Sequence, residues 1–310
     1  MSARPSVSVI ICAYTQKRWD DVNLAISSAL DQADTTDVIV VIDHEPELMV
    51  RVRQQWPEIT VLPNSSRQGL SGARNTGVAA SSAQLVAFLD DDATAQPGWL
   101  GRMVDVFADP RVVAVGGSAQ PRWPAGIAPQ TLPVELLWVV GCTYRGQPTE
   151  RSEVRNVIGC SMAFRRDELN TIGGFNLNTG RVGTIPLGAE ETEVCIRLRQ
   201  ADSSRRIIFE PTSRVSHRVT PDRLTWRYLR RRSFFEGISK AALSHSLGAS
   251  DALSSERSYS TRVLPRGALR EIIQGRPLGA AAIGLSLLAA SCGYLYGLTR
   301  GARLSSAPSV

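Results

Sequence analysis

The chain has 310 residues, 43% of them hydrophobic and 21% charged, which supplies a large core and excludes a disordered polymer. A formal net charge of +6 suits an anionic partner such as a nucleic acid, a membrane surface or a diphosphate, without choosing among them. Lys17 and Lys240 are the only lysines, so the positive charge is arginine, the better bidentate ligand for phosphate. Val7 to Ala13 (VSVIICA) is a β-branched run with no polar alternation, the pattern of a strand buried on both faces of a parallel sheet. Val22, Ala25, Ile26, Ala29 and Leu30 recur at helical spacing between Asp20 and Gln32, giving the helix that follows it. A second strand spans Val38 to Ile42, a helix Glu47 to Gln55 stops before Pro57, and Ile59 to Leu62 forms a third strand. A helix from Ser71 to Ala80 and a strand from Leu85 to Leu89 continue the alternation. Repeated β-α units predict an α/β fold with a doubly wound, mostly parallel, Rossmann-like sheet, and place ligands at the carboxyl ends of its strands.

The fourth strand ends in Asp90-Asp91-Asp92. Three anions crowded at the end of an apolar run need compensation, and carboxylate oxygens suit Mg²⁺ or Mn²⁺. On extended backbone Asp90 and Asp92 point the same way, so a D-x-D pair can grip one ion that bridges two phosphates of a nucleotide. In isolation these aspartates read as a solvated turn before Pro97; their place at a strand end favours the ion.

Other strand-end segments serve the same site. Asp43, after the second strand, is a turn residue or an acceptor for a ribose or base. Gly69 to Asn75 (GLSGARN) opens a helix with small residues, a candidate cap in Ser71 and a guanidinium in Arg74, and suits a phosphate-facing start; ordinary capping explains Ser71 equally well. Glu190, Glu191 and Glu193 precede a helical pattern, where they complement the helix dipole or supply a general base.

The ordered succession VSVIICAYTQ, VIVVIDH, GLSGARNTGVAAS, LVAFLDDDATAQPGWL, GCSMAFRRDEL, IGGFN and GAEETEVCIRL resembles the inverting family 2 glycosyltransferases over roughly Val7 to Lys240. The resemblance implies a GT-A fold and a nucleotide-sugar donor. Carried over by position, it implies a metal site at Asp90 and Asp92 with Asp91 adjacent, nucleotide-sugar contacts from Asp43, Arg74 and Asn75, and Glu191 as base. Many relatives carry Glu-Asp where this chain has Glu190-Glu191, which leaves the choice between the two glutamates open. His217, a structural histidine on the residues alone, corresponds to the family's late histidine near the metal. Arg230, Arg231 and Arg232 either close over donor phosphates, meet lipid headgroups or form a solvated helix face; Arg231 is the expected nucleotide-sugar contact. Segments Leu136 to Gly146, Arg155 to Arg166 and Arg230 to Lys240 further resemble archaeal glucosyl-dolichyl-phosphate glucuronosyltransferases, implying a UDP-sugar donor and a lipid-linked or glycan acceptor.

Five scattered cysteines without CxxC spacing argue against a disulfide framework and a zinc site, and no leader precedes the first strand, so the expected chemistry is cytoplasmic. Leu278 to Leu298 is uncharged, bracketed by Arg276 and Arg300, and near the roughly 20 residues that cross a bilayer; it is expected to span, with a buried or interfacial helix as rival. Arg257, Arg262, Arg266 and Arg270 before it are expected to face an anionic leaflet of the cell membrane. The expected organisation is therefore a catalytic domain 1–245 (donor half 1–115, acceptor half 116–245), a basic linker 246–276, a transmembrane or membrane-associated helix 277–299 and a tail 300–310. Two rival classes remain. A sugar-phosphate nucleotidyltransferase lacks its glycine-rich loop here, and a non-catalytic nucleic-acid or membrane-binding module leaves the three aspartates unexplained; nucleic acid is not an expected partner.

Overall fold

A run with no polar face has nothing to offer water, and β1 (Val7–Ala13) is accordingly buried on both sides. The computed structural model describes residues 4–179 and 188–304. After β1 come α1 (Trp19–Leu30), β2 (Asp37–Ile42), α2 (Pro46–Gln55), β3 (Thr60–Pro63), α3 (Leu70–Ala80), β4 (Leu85–Asp90) and β5 (Ala93–Ala95). Then follow α4 (Trp99–Val106), β6 (Val112–Arg122), β7 (Ser152–Glu153), β8 (Ser161–Arg165), α5 (Arg166–Thr171), α6 (Glu190–Ala201) and β9 (Arg206–Arg218). Chain contacts divide the protein into two units: Met1–Gln120 with Pro148–Ile185 and Glu190–Arg218, and Pro121–Gln147 with Pro186–Ala189 and Val219–Val310.

In the first unit the strand order is β3-β2-β1-β4-β8-β6-β9-β5, with β7 on β9. The four strands expected from the sequence are parallel, Ile10 lying opposite both Ile39 and Phe88. Beyond β4 the sheet turns antiparallel, so the parallel arrangement belongs to its first half and the whole sheet is mixed. One face of β1 sends Val9, Ile11 and Ala13 into a cluster with Val22, Ala25 and Ile26 of α1. The other sends Ile10 against Ala73 and Val78 of α3. Helix and strand approach closely there because residue 77 is glycine; a Cβ on it would lie 2.5 Å from Ile10 Cγ2. Burying Ile10 contributes about 1.5–3 kcal/mol, which the close approach secures. The start of α3 differs from expectation: Gly69, at φ 135°, is the N-cap, and Ser71 lies inside the helix with its hydroxyl donating to Thr179 O at 2.8 Å. Left-handed backbone of that kind favours glycine.

The second unit is helical. A 3₁₀ segment (Val134–Val140) precedes α7 (Trp226–Leu247), the single turns α8 (Ala249–Ala252) and α9 (Glu256–Ser258), α10 (Leu264–Ile273) and α11 (Pro277–Leu304). Leu136, Val140, Leu229, Leu264, Ala282 and Ile283 form its core. Thr225 caps α7 by accepting from Tyr228 N–H at 3.2 Å. Buried Glu135 receives both Arg270 nitrogens, at 2.5 and 3.0 Å. Arg270 is thus spent on an internal ion pair rather than facing a leaflet, because an unpaired buried Glu135 would be too costly. Of the expected 300–310 tail, residues 305–310 lie outside the described residues.

Candidate active site

Parallel pairing brings Cys12, near the end of β1, opposite Asp90 at the end of β4. Antiparallel pairing of β5 with β9 sets His217 across from Ala93, while Arg218 N–H donates to Asp92 O at 2.9 Å. Two registers from distant chain segments therefore converge on one point. Asp90, Asp92 and His217 each offer a ligand atom, all within 4.8 Å of one another, and His217 Nε2 lies 3.2 Å from Asp92 Oδ1. Two carboxylates with an imidazole suit a divalent ion of the first transition row, and the buried Asp91 Oδ2 alongside has no hydrogen-bond partner among the described residues, as expected of a site whose charge needs a cation.

No local sequence pattern marks Arg18. It leaves the loop after β1 and binds Asp91 Oδ1 at 2.6 Å and Asp92 Oδ2 at 3.1 Å. Burial pushes the Asp91 carboxyl up to about 7, Arg18 pulling against it and Asp92 and Asp90 pushing with it. Burial works to lower the Arg18 pKa, but Asp91 and Asp92 outweigh it and raise it, so this guanidinium stays charged.

Arg74 occupies a different place from the one expected. It is 1% exposed, has its Cζ 5.8 Å from the Phe88 ring and 5.3 Å from the Phe175 ring, and points its nitrogens at Glu190 Oε1 (3.2 Å), Asp90 Oδ1 (3.4 Å) and Gly159 O (3.1 Å). These contacts tie Asp90 of β4 to Glu190 of α6. Burial disfavours the Arg74 charge, yet Glu190 and Asp90 raise its pKa overall. Glu190 is buried, its Oε2 without a hydrogen-bond partner among the described residues, whereas Glu191 is only partly buried, its Oε2 near Gly159 and Arg74. Glu193, expected to complement the helix dipole, is buried and bound bidentately by Arg197 at 2.8 and 2.7 Å. Arg197 also donates to Gly174 O at 2.5 Å, tying α6 to the Gly173–Asn176 loop.

Asn75 and Asp43 are likewise engaged by the protein. The Asn75 amide bonds both the N–H and the carbonyl of Phe175 at 2.8 Å, a clamp on that backbone. Asp43 accepts from Asn64 Nδ2 at 2.6 Å and Gly69 N–H at 3.0 Å, with His44 Nδ1 3.0 Å away. Both residues shape the loops at the strand ends. Arg231 belongs to the second unit, on α7, with its guanidinium 5.8 Å from the Phe235 ring.

Residues 8–173 match the family described as Glycosyl transferase family 2. The chain belongs to that family. This glycosyltransferase is 36% identical over 242 residues to the glucosyl-dolichyl phosphate glucuronosyltransferase of Haloferax volcanii, covering 76% of this chain and 77% of the relative. Among solved structures it is similar to the mannosyltransferase PcManGT from Pyrobaculum calidifontis in complex with GDP-Man and Mn²⁺, at TM-score 0.61 and 18% identity, over 95% of this chain and 88% of that one. It is also similar to GalNAc-T7 with UDP, GalNAc and Mn²⁺, at TM-score 0.56 and 14% identity, over 90% of this chain and 59% of that one. The fold of the glycosyltransferase is GT-A, and its family membership disfavours both the nucleotidyltransferase and the non-catalytic readings.

Proposed function

We propose that this glycosyltransferase moves a sugar from a UDP-sugar to a hydroxyl of a polyprenyl-phosphate-linked sugar, with inversion at the anomeric carbon and at a membrane surface. The observation that carries the reading is the Asp90–Asp92–His217 set, joined through Asp90 and Arg74 to Glu190, next to Glu191 at the start of α6. Asp90, Asp92 and His217 would hold the metal, and Mn²⁺ is preferred over Mg²⁺ because one donor is an imidazole and both structural neighbours carry manganese. When bound, a divalent cation there offsets charge on the departing nucleoside diphosphate. Asp43 and the α3 start would seat the nucleoside, and residues 1–115 would form the donor half. Arg231 is kept as a contact for phosphate carried on a donor or lipid.

In the transfer step Glu191 takes the proton of the acceptor hydroxyl. The acceptor oxygen forms a bond to the anomeric carbon as the carbon–oxygen bond to diphosphate breaks, leaving glycosylated acceptor and nucleoside diphosphate. Glu191 is preferred over Glu190 because Glu190 is already held by Arg74 in a buried ion pair. Arg18 and Arg74 keep the carboxylates ordered and balance their charge, so the site is preorganised before substrate enters. The lipid-linked acceptor rests on the dolichyl phosphate named for the Haloferax relative, and the cell membrane, with catalysis on its cytoplasmic side, is the matching location.

The test incubates the protein with radiolabelled UDP-glucuronic acid, UDP-glucose and UDP-galactose and a glucosyl-polyprenyl-phosphate acceptor, with Mn²⁺, Mg²⁺ or chelator. Transfer of label to lipid that stops on chelation supports the proposal. Turnover that survives thorough chelation removes the metal from it, and label appearing only in free sugar removes the acceptor.

A further inference from the structure

Pro277–Thr299 of α11 is 23 residues long and apolar enough to cross a membrane by length and composition. At 1.5 Å per residue it would reach about 34 Å, against a hydrocarbon core of roughly 30 Å. Packing within the second unit argues for another placement. Gly279, Ala282, Ser286, Ala289, Gly293 and Gly297 are buried and recur every three or four residues, a single stripe of small side chains. From Ser286 to Gly297 that stripe lies on α7, whereas Gly279 faces Glu271. The Ser233 and Ser286 hydroxyls are 2.9 Å apart, and a Cβ on Gly237 or Gly293 would collide with the backbone of the opposite helix. Gly297 faces Ala241 and Ile238, so residue numbers rise together and the two helices run in the same direction.

This pairing decides what a spanning helix would carry with it. Ser233 is level with Ser286, close to the middle of Pro277–Thr299, and the residues just before Ser233 are Arg230, Arg231 and Arg232. Glu236 and Lys240 follow within two turns, with Arg232 bound to Glu236 at 2.8 Å. A perpendicular placement would set exposed Arg230 and Arg231 near the bilayer midplane, where each charge is strongly unfavourable. The outward face of α11 has no such conflict. Leu278, Leu288 and Leu295 are exposed on it, and α10, joined by the turn through Gly275 at φ 70°, exposes Leu269, Ile272 and Ile273. Exposed Arg262, Arg266 and Arg276 flank these apolar residues.

We infer that α10 and the outward face of α11 form an in-plane docking surface for a bilayer with anionic headgroups, with α7 as the layer behind it. Apolar side chains enter the boundary between headgroups and acyl chains while the arginines meet lipid phosphate, the arrangement of an interfacial helix pair. The inference deepens the proposal of a membrane-associated enzyme and replaces the expected span with a surface.

Flotation of the full chain with phosphatidylcholine vesicles, with and without phosphatidylglycerol, tests it. Binding should require the anionic lipid, weaken with salt and be released by alkaline carbonate. Leu288→Asp with Leu295→Asp, two exposed positions, should lower the partition coefficient at least about tenfold with an unchanged circular dichroism spectrum. Cys292, the exposed cysteine among the described residues, provides a native reporter: vesicles should slow its reaction with a maleimide. Membrane binding that resists carbonate would establish a span and overturn the inference while keeping a membrane enzyme. Absence of binding to either vesicle overturns both. Protection of Cys292 by protein concentration alone, without lipid, would make the face a contact between copies and overturn the docking surface.

Discussion

At the scale of single residues, the proposed reaction separates groups that would meet ligand from groups that hold those groups. Asp92 touches both His217 and Arg18, so removing its carboxylate takes one donor from the metal set and one counter-charge from a buried arginine. Asp92→Ala is expected to lower turnover by at least about a hundredfold and to weaken Mn²⁺ binding measured by calorimetry. A variant with full activity and wild-type Mn²⁺ affinity would show the carboxylate to be dispensable. The two glutamates should part in a different way. Glu191→Gln keeps shape and donor binding but cannot take a proton, so kcat should fall about 10²–10⁴-fold with the nucleotide dissociation constant unchanged. Glu190→Gln instead leaves buried Arg74 short of a counter-ion and should cost about 3 kcal/mol in urea unfolding. Should Glu190→Gln be the variant that folds normally yet loses turnover, the base has been assigned to the wrong residue.

At the scale of elements, the parallel half of the sheet was legible because each strand is a short apolar run set apart by turn residues and helical periodicity. The strands β1, β2, β3 and β4 fall within about one residue of expectation at each end. The antiparallel half was not, since β6, β8 and β9 pair across long stretches of chain and no local period encodes a partner. Site residues divide along the same line. Asp90 to Asp92 could be seen at a strand end, but Arg18 reaches Asp91 across 73 positions and Arg74 reaches Glu190 across 116, so neither pairing leaves a local mark. Gly77 tests the packing that aligns these elements. Gly77→Ala places a methyl against Ile10 and should destabilise by about 1–3 kcal/mol. Ile10→Ala clears that space, so in a double-mutant cycle the pair should cost less than the sum of the singles. Strict additivity would mean that α3 does not sit this tightly on β1.

At the scale of the whole molecule, the arginine excess sets the response to acid. Hydrogen bonds from Arg111 and then Arg206 hold the Asp109 carboxyl well below its ordinary range. Burial works to raise Glu236, but Arg232 and Lys240 outweigh it and lower it; burial likewise opposes Thr212 and Arg151 at Glu210, which is also lowered. A carboxylate depressed in the folded state contributes stability that is present above its unfolded pKa of about 4 and lost as pH falls through the lower folded value. Asp91, pushed up to about 7, acts in the opposite sense at higher pH, so the loss belongs below about pH 4.5. The chain already carries a formal charge of +6 at neutrality, and each protonation adds to its self-repulsion. Urea midpoints measured from pH 7 down to about 3 should therefore fall below about pH 4.5, with added salt recovering only the repulsive part. Glu236→Gln should flatten that fall, because its protonation no longer differs between folded and unfolded chains. A midpoint constant down to about pH 3 would mean that these carboxylates titrate alike in both states and that arginine pairing contributes nothing to the fold.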